Sequence, residues 1–260
     1  MKRILVLCLF VLLTTPAIFA QTKIIAHRGF SGIAPENTLA SFQKAIESGA
    51  DYFELDVHKT KDDSLVIIHD GSVDRTSSNG MTGELWKYDY AELTKVKVGY
   101  PEKFGDEFKD EKIPTLREVL SLAKDKIKVS IEIKVYGVEE QVLKIINDLD
   151  MRDQVIIFSF HYQVLTKIRT LDKTIPILYL IDYADDTTIE YATLINANAI
   201  GVGYATNPSK EYVAKAHNAG LEVWKWTVNE EDQMKQLLEV GLDGIITNYP
   251  DKALELRAGK

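Results

Sequence analysis

The residues in this sequence best suited to chemistry on an anion are five acids and bases: His27, Glu54, Asp56, His69 and Glu132. Around Glu54 the chain reads Phe53-Glu54-Leu55-Asp56-Val57-His58. Strand alternation puts Phe53, Leu55 and Val57 on one face and Glu54, Asp56 and His58 on the other. Two inward carboxylates repel each other and lose hydration, and a bound cation removes both penalties. The run Val129-Ser130-Ile131-Glu132-Ile133-Lys134 repeats the alternation, turning Glu132 inward with Lys134 one step closer to the mouth. Three carboxylates with no sulfur ligand suit a hard divalent cation, Mg²⁺ or Ca²⁺. On pattern alone, a structural ion cluster of Glu132 with Lys134 or Arg28 fits equally well. His27 and His69 each end a strand-like run and adjoin Arg28 and Asp70. Imidazoles so placed can transfer protons near neutral pH. His58, His161 and His217 read as ordinary turn, strand-end and helix-surface residues.

The elements that must carry these residues alternate. Strand-like runs cover 23–27, 52–58, 65–69, 128–134, 155–160, 177–181, 199–203, 222–228 and 244–247. Helix-like stretches cover 38–48, 115–124, 139–149, 162–170, 188–195, 209–219 and 231–240. This order predicts an α/β fold, a barrel or a doubly wound sheet, and a TIM-type barrel fits better because polar residues cluster at strand ends along the whole chain. Nine strand candidates compete for eight places. Only residues 59–64 separate the second and third, too few for a parallel crossover, so that pair is expected to be a hairpin turning at Asp62–Asp63. A symmetric turn sets His69 opposite Glu54, and the barrel is distorted near its second strand. Residues 71–112 are rich in glycine and charge, and read as a loop insertion after the His69 strand, a lid over the mouth. Gly29, Gly32 and Pro35 make the turn after the first strand, with Asn37 or Thr38 capping the next helix. Trp224 and Trp226 share one face of a late strand.

Residues 1–20 read as a secretory signal peptide: Lys2 and Arg3, the apolar run Ile4–Leu13, Pro16, then Ala17 and Ala20. Cleavage is expected after Ala20, with Ala17 as the alternative. Localisation is then periplasmic or extracellular, with no stable membrane insertion after cleavage. Cys8, the only cysteine, leaves with that segment, so disulfides and thiolate metal sites are excluded. The remaining domain, 21–260, has 29 basic against 39 acidic residues, a net −10. That balance argues against nucleic acid or anionic membrane as a partner, so positive charge for a phosphate ester must be local.

Ala26-His27-Arg28-Gly29, Pro35-Glu36-Asn37-Thr38, Glu54-Leu55-Asp56-Val57, Thr60-Lys61-Asp62, His69-Asp70, Asp74-Arg75-Thr76, Glu132-Ile133-Lys134, Trp226-Thr227-Val228-Asn229 and Asp243-Gly244-Ile245-Ile246-Thr247 occur in this order. The set resembles the glycerophosphodiester phosphodiesterase family from about residue 24 to 252. The resemblance implies a metal held at Glu54, Asp56 and Glu132 and an acid–base pair of His27 and His69. It implies phosphate held by Arg28 and Lys134, and a pocket lined in part by Glu36 and Trp226. The implied reaction cleaves a small-molecule glycerophosphodiester to sn-glycerol 3-phosphate and an alcohol, with the glycerol 2-hydroxyl attacking first. Asn248 departs from the pattern, standing where an aspartate is common. A lysophospholipase D on the same barrel and a noncatalytic phosphate-metabolite binder are the competing readings. Oligomeric state is not legible.

Overall fold

The computed structural model describes residues 21–203 and 207–259. The elements run β1 (Lys23–Ala26), α1 (Leu39–Ser48), β2 (Tyr52–Lys59), β3 (Leu65–Ile67), α2 (Tyr90–Leu93), α3 (Pro101–Phe104), α4 (Leu116–Ala123), β4 (Lys128–Ile133), α5 (Glu139–Asp148), β5 (Val155–Ser159) and α6 (Tyr162–Leu171). There follow β6 (Ile177–Ile181), α7 (Asp186–Leu194), β7 (Ala199–Val202), α8 (Lys210–Asn218), β8 (Glu222–Lys225), α9 (Glu231–Val240), β9 (Gly244–Thr247) and α10 (Pro250–Arg257). Eight strands, β1, β2 and β4–β9, pair in parallel and close through β1–β9 and β1–β2; β3 adds antiparallel to β2. The expected TIM-type barrel is therefore present, with its ninth strand outside the ring. The expected signal segment lies outside the described residues, among which no helix is long and apolar enough to cross a membrane.

Alternation divides each strand between two cores. Phe53, Leu55, Val57 and Ile131 face outward, where they pack under α1 and α4; Phe42 of α1 meets Phe53 with ring centres 4.5 Å apart. Ile25, Tyr52, Phe158, Leu178, Trp224 and Ile246 fill the barrel interior below the site. The inward positions of β7 are Ala199 and Gly201, with Gly203 just beyond. A Cβ on Gly201 would come within 2.8 Å of Leu180, and one on Gly203 within 3.1 Å of Trp226 Cζ2. This side of the barrel is bare backbone because large side chains from neighbouring strands occupy its space.

The ring is thin between β1 and β2, which share only the pairs Ile25↔Tyr52 and Ala26↔Phe53, as few as β8 and β9 share. Above them β2 instead takes β3, in the expected hairpin: Val57↔Ile67, His58↔Val66 and Lys59↔Leu65. The turn runs over residues 60–64, closed by Thr60 N–H to Ser64 O at 3.0 Å and by Ser64 N–H to Thr60 Oγ1 at 2.9 Å, with Asp63 left-handed at φ 59°. The odd loop length moves the register by one, so His69 falls level with Leu55 rather than with Glu54.

The 71–112 segment is more ordered than expected. Besides α2 and α3 it has 3₁₀ turns at Leu85–Lys87 and Gly105–Phe108. Val73, Leu85, Leu93 and Val96 build a small core against Val66 and Ile68. That core anchors it to the β3 side, and none of its residues lines the mouth cavity. It buttresses the barrel rather than covering it.

Candidate active site

The loop after β1 brings Arg28 over the interior carboxylates. Arg28 takes a left-handed backbone, φ 54°, as does Asn37 at φ 57°. A non-glycine residue holds this conformation at a cost of about 1–2 kcal/mol, and strain of this kind concentrates where geometry is functional. Here it aims the Arg28 N–H at Glu54 Oε2, 2.8 Å away. Gly29 follows, also left-handed, its N–H reaching Glu54 O at 3.2 Å; a Cβ there would collide with Ser41 at 2.4–2.7 Å. Asn37 does not cap α1. Thr38 does, accepting the Ser41 N–H, while Asn37 Nδ2 donates to Asp56 Oδ2 at 2.8 Å.

Glu54, Asp56 and Glu132 come together as the alternation requires: one carboxylate oxygen from each lies within 4.8 Å of the others, all buried. Lys134 Nζ lies 2.8 Å from Glu132 Oε1 and 3.4 Å from Asp56 Oδ1, and Arg28 Nε 3.6 Å from Asp56 Oδ2. The ion-cluster and metal readings thus describe the same residues. Burial raises Asp56, but Lys134 and Arg28 outweigh it and hold the carboxyl at about 2. Burial, then the charges of Asp56 and Glu132, push Glu54 well above the ordinary range. Burial and Asp56 lift Glu132 to about 7. Three acids thus share too little positive charge. Asp56 Oδ1 is buried without a hydrogen bond among the described residues. An all-oxygen donor set with one such orphaned atom could hold a divalent ion.

The two histidines are held alike but by different partners. His27 Nδ1 lies 2.7 Å from Asn248 Oδ1, and Asn248 is itself fixed by its N–H on Asn229 Oδ1 at 3.0 Å. Burial, then Arg28, lowers His27 to about 4. His69 Nδ1 lies 2.7 Å from Asp70 Oδ1, and burial lowers His69 as well. Each pairing makes Nδ1 the protonated nitrogen and leaves the Nε2 lone pair for chemistry.

His27, Arg28, Glu54, His69, Glu132 and Lys134 line one side of a mouth cavity. Phe158, Phe160, Leu180, Trp226 and Ile246 are prominent on the other. Trp226 donates Nε1–H to Gly201 O at 3.1 Å and meets Phe160 edge-on at 5.2 Å. Glu36 is not among the lining residues. It bridges Arg28 NH1 at 2.9 Å and both terminal nitrogens of Arg75, at 2.7 and 2.9 Å. Two guanidiniums hold its carboxylate, and it lines a smaller cavity beside His69.

Sequence reasoning gave no site role to Asn37, Asp70, Arg75 or Asn248. Asn37 resembled a cap, and Asp70 was visible only as a neighbour of His69. Asn248 showed only as a departure, and Arg75 only inside a motif.

A charged wall with two histidines in it, facing an apolar wall, suits the hydrolysis of phosphoric diesters. The comparisons with known proteins agree. The model of the glycerophosphoryl diester phosphodiesterase family matches residues 27–252, and the chain belongs to that family. It is 38% identical over 242 residues to a glycerophosphodiester phosphodiesterase of Caldanaerobacter subterraneus subsp. tengcongensis, covering 91% of this chain and 98% of the relative. A glycerophosphodiester phosphodiesterase of Bacillus altitudinis is 36% identical, with the same coverage. Among solved structures, an Oleispira antarctica phosphodiesterase in complex with the product sn-glycerol-3-phosphate superposes with a TM-score of 0.81 at 28% identity, over 92% of this chain and 98% of that one.

Proposed function

We propose that the protein hydrolyses glycerophosphodiesters to sn-glycerol 3-phosphate and an alcohol, with His27 and His69 as the acid–base pair. The observation that carries this reading is the opposition of the two histidines and two cations to an apolar wall in one small cavity. Arg28 and Lys134 bind and orient the phosphate, where charge-assisted donors stabilise developing negative charge. Glu54, Asp56 and Glu132 would hold a divalent cation, which when bound neutralises substrate charge as a Lewis acid. The apolar wall, Trp226 included, receives the carbon portions of the diester.

The histidine partners divide the roles. His27, paired with the neutral Asn248 amide, stays unprotonated and takes the proton of the attacking hydroxyl at Nε2. His69, paired with the Asp70 carboxylate, is the better placed to carry a proton and delivers it to the leaving alkoxide. The attacking hydroxyl is that of glycerol C2, giving a cyclic phosphate that water opens.

The reading includes secretion: residues 1–20 direct export, and the enzyme works in the periplasm or outside the cell. Cell fractionation detecting it only in the cytoplasm would remove this part alone. The catalytic part is tested with glycerophosphocholine, glycerophosphoethanolamine and lysophosphatidylcholine, with Mg²⁺, with Ca²⁺ and after exhaustive chelation. Release of sn-glycerol 3-phosphate from deacylated diesters, lost on chelation, is expected. Cleavage of lysolipid alone would transfer the reading to a lysophospholipase D, and binding without turnover to a phosphate-metabolite receptor.

A further inference from the structure

Arg75 belongs to the insertion and lines no part of the mouth cavity. Its guanidinium nevertheless meets two carboxylates, each bonded to a site residue. Nε donates to Asp70 Oδ2 at 2.6 Å, and Asp70 Oδ1 holds His69 Nδ1 at 2.7 Å. Its terminal nitrogens grip Glu36 at 2.9 and 2.7 Å, and Glu36 Oε1 takes Arg28 NH1 at 2.9 Å. The backbone of Arg75 is itself fixed, since Tyr100 donates its hydroxyl to Arg75 O.

We propose that Arg75 is a positioning residue, one planar cation that sets His69 through Asp70 and Arg28 through Glu36. The chemistry of the group supports this. Asp70 can orient His69 only if its own rotation is stopped, and a carboxylate bonded on one oxygen alone turns freely. Glu36 is likewise the guide for the Arg28 side chain, whose other anionic contact is the longer one to Asp56. A guanidinium is the side chain that serves both carboxylates from fixed edges at once; an ammonium is a point charge without that fork. As a stabilising ion pair Arg75 is worth little, its side chain being 42% exposed. Its value lies in geometry at the reacting groups. It also gives the insertion its link to catalysis, a support from the side rather than a cover from above.

The kinetic arm of the test rests on the phosphodiesterase reading; the spectroscopic arm does not. Arg75→Ala and Arg75→Lys are compared with the wild-type chain lacking residues 1–20, all with the same divalent ion. In long-range ¹H–¹⁵N spectra, His69 in the wild type should show a single Nδ1–H tautomer. Arg75→Ala should show a tautomer mixture, and Arg75→Lys an intermediate state. For diester hydrolysis, Arg75→Ala should lose about 10–100-fold in kcat, the range for removing an orienting partner, with a smaller rise in KM. Added ethylguanidinium, which fits the partly open space left by the side chain, should recover part of kcat in Arg75→Ala and none in wild type. An unchanged His69 tautomer in Arg75→Ala overturns the proposal. So does a kcat within twofold of wild type, or a loss that appears only as a lowered melting temperature. If the wild type cleaves no diester, the functional reading fails while the tautomer still decides the role of Arg75.

Discussion

Asn37 and Asp56 are bonded twice: the Asn37 amide donates to Asp56 Oδ2 at 2.8 Å, and its carbonyl oxygen accepts the Asp56 N–H at 3.4 Å. The helix-entry loop thereby fixes the carboxylate at the centre of the acidic triad, leaving Oδ1 directed to the site. Asn37→Ala should weaken divalent-ion binding about 10–100-fold, the usual effect of deleting a ligand's supporting partner. Isothermal titration of the metal-free protein measures it; an unchanged affinity would show that Asp56 needs no such support.

The neutral partner of His27 leaves burial and Arg28 to hold the ring uncharged. Asn248→Asp puts a carboxylate against Nδ1, which favours the imidazolium, so the His27 pKa should rise from about 4. NMR titration of the ring should show this, and the acidic limb of the rate profile should move to higher pH with it. A His27 titration unmoved by Asn248→Asp would separate the two residues.

In metal-free protein, Glu132 titrates at about 7 when folded against 4.5 in the reference state. The folded form therefore holds the extra proton between those values. The stability this group contributes is fully present below 4.5 and is lost as pH rises through 7. Melting temperature in chelator should fall across that window. A saturating divalent ion should reverse the fall, since ligand at 100 times its Kd adds about 2.7 kcal/mol. Glu132→Gln should shrink the pH slope to the part that the raised Glu54 contributes, and should abolish the response to metal. A wild type whose melting temperature ignores Mg²⁺ and Ca²⁺ across pH 5–8 would contradict the metal assignment.

Gly29 combines a positive φ with no space for a side chain. Gly29→Ala should cost about 2–4 kcal/mol, adding backbone strain to overpacking against Ser41. It should also displace Arg28, so activity should fall further than stability. Urea unfolding paired with turnover at a temperature where the variant is fully folded would test this; a loss under 1 kcal/mol would mean that the loop yields easily.

Much of this architecture was legible from alternation alone. Glu54, Asp56 and Glu132 interrupt apolar runs at every second residue, and a strand has no choice but to turn them to one side. The β2–β3 hairpin followed from the short spacing between its strands. Its register did not, because one residue in the turn decides it and Thr60, Ser64 and Asp63 settle that locally. α10 went unread because Pro250–Arg257 carries a weak apolar stripe, with only Pro250 and Ala253 buried. The supporting shell was the least visible. Asn37, Asp70, Arg75 and Asn248 act through partners 5 to 221 positions away, or through an adjacent residue, and no local pattern marks such pairings.

The bare inner edge of β7 has a consequence for selectivity. Trp226 stands where it does because Gly201 and Gly203 leave it a berth, and a single methyl at 203 would press on its ring. The width of the cavity on this side is thus set from behind the wall, by residues outside its lining. A substitution at 201 or 203 would reshape that wall without touching Glu54, Asp56, Glu132, Arg28 or Lys134.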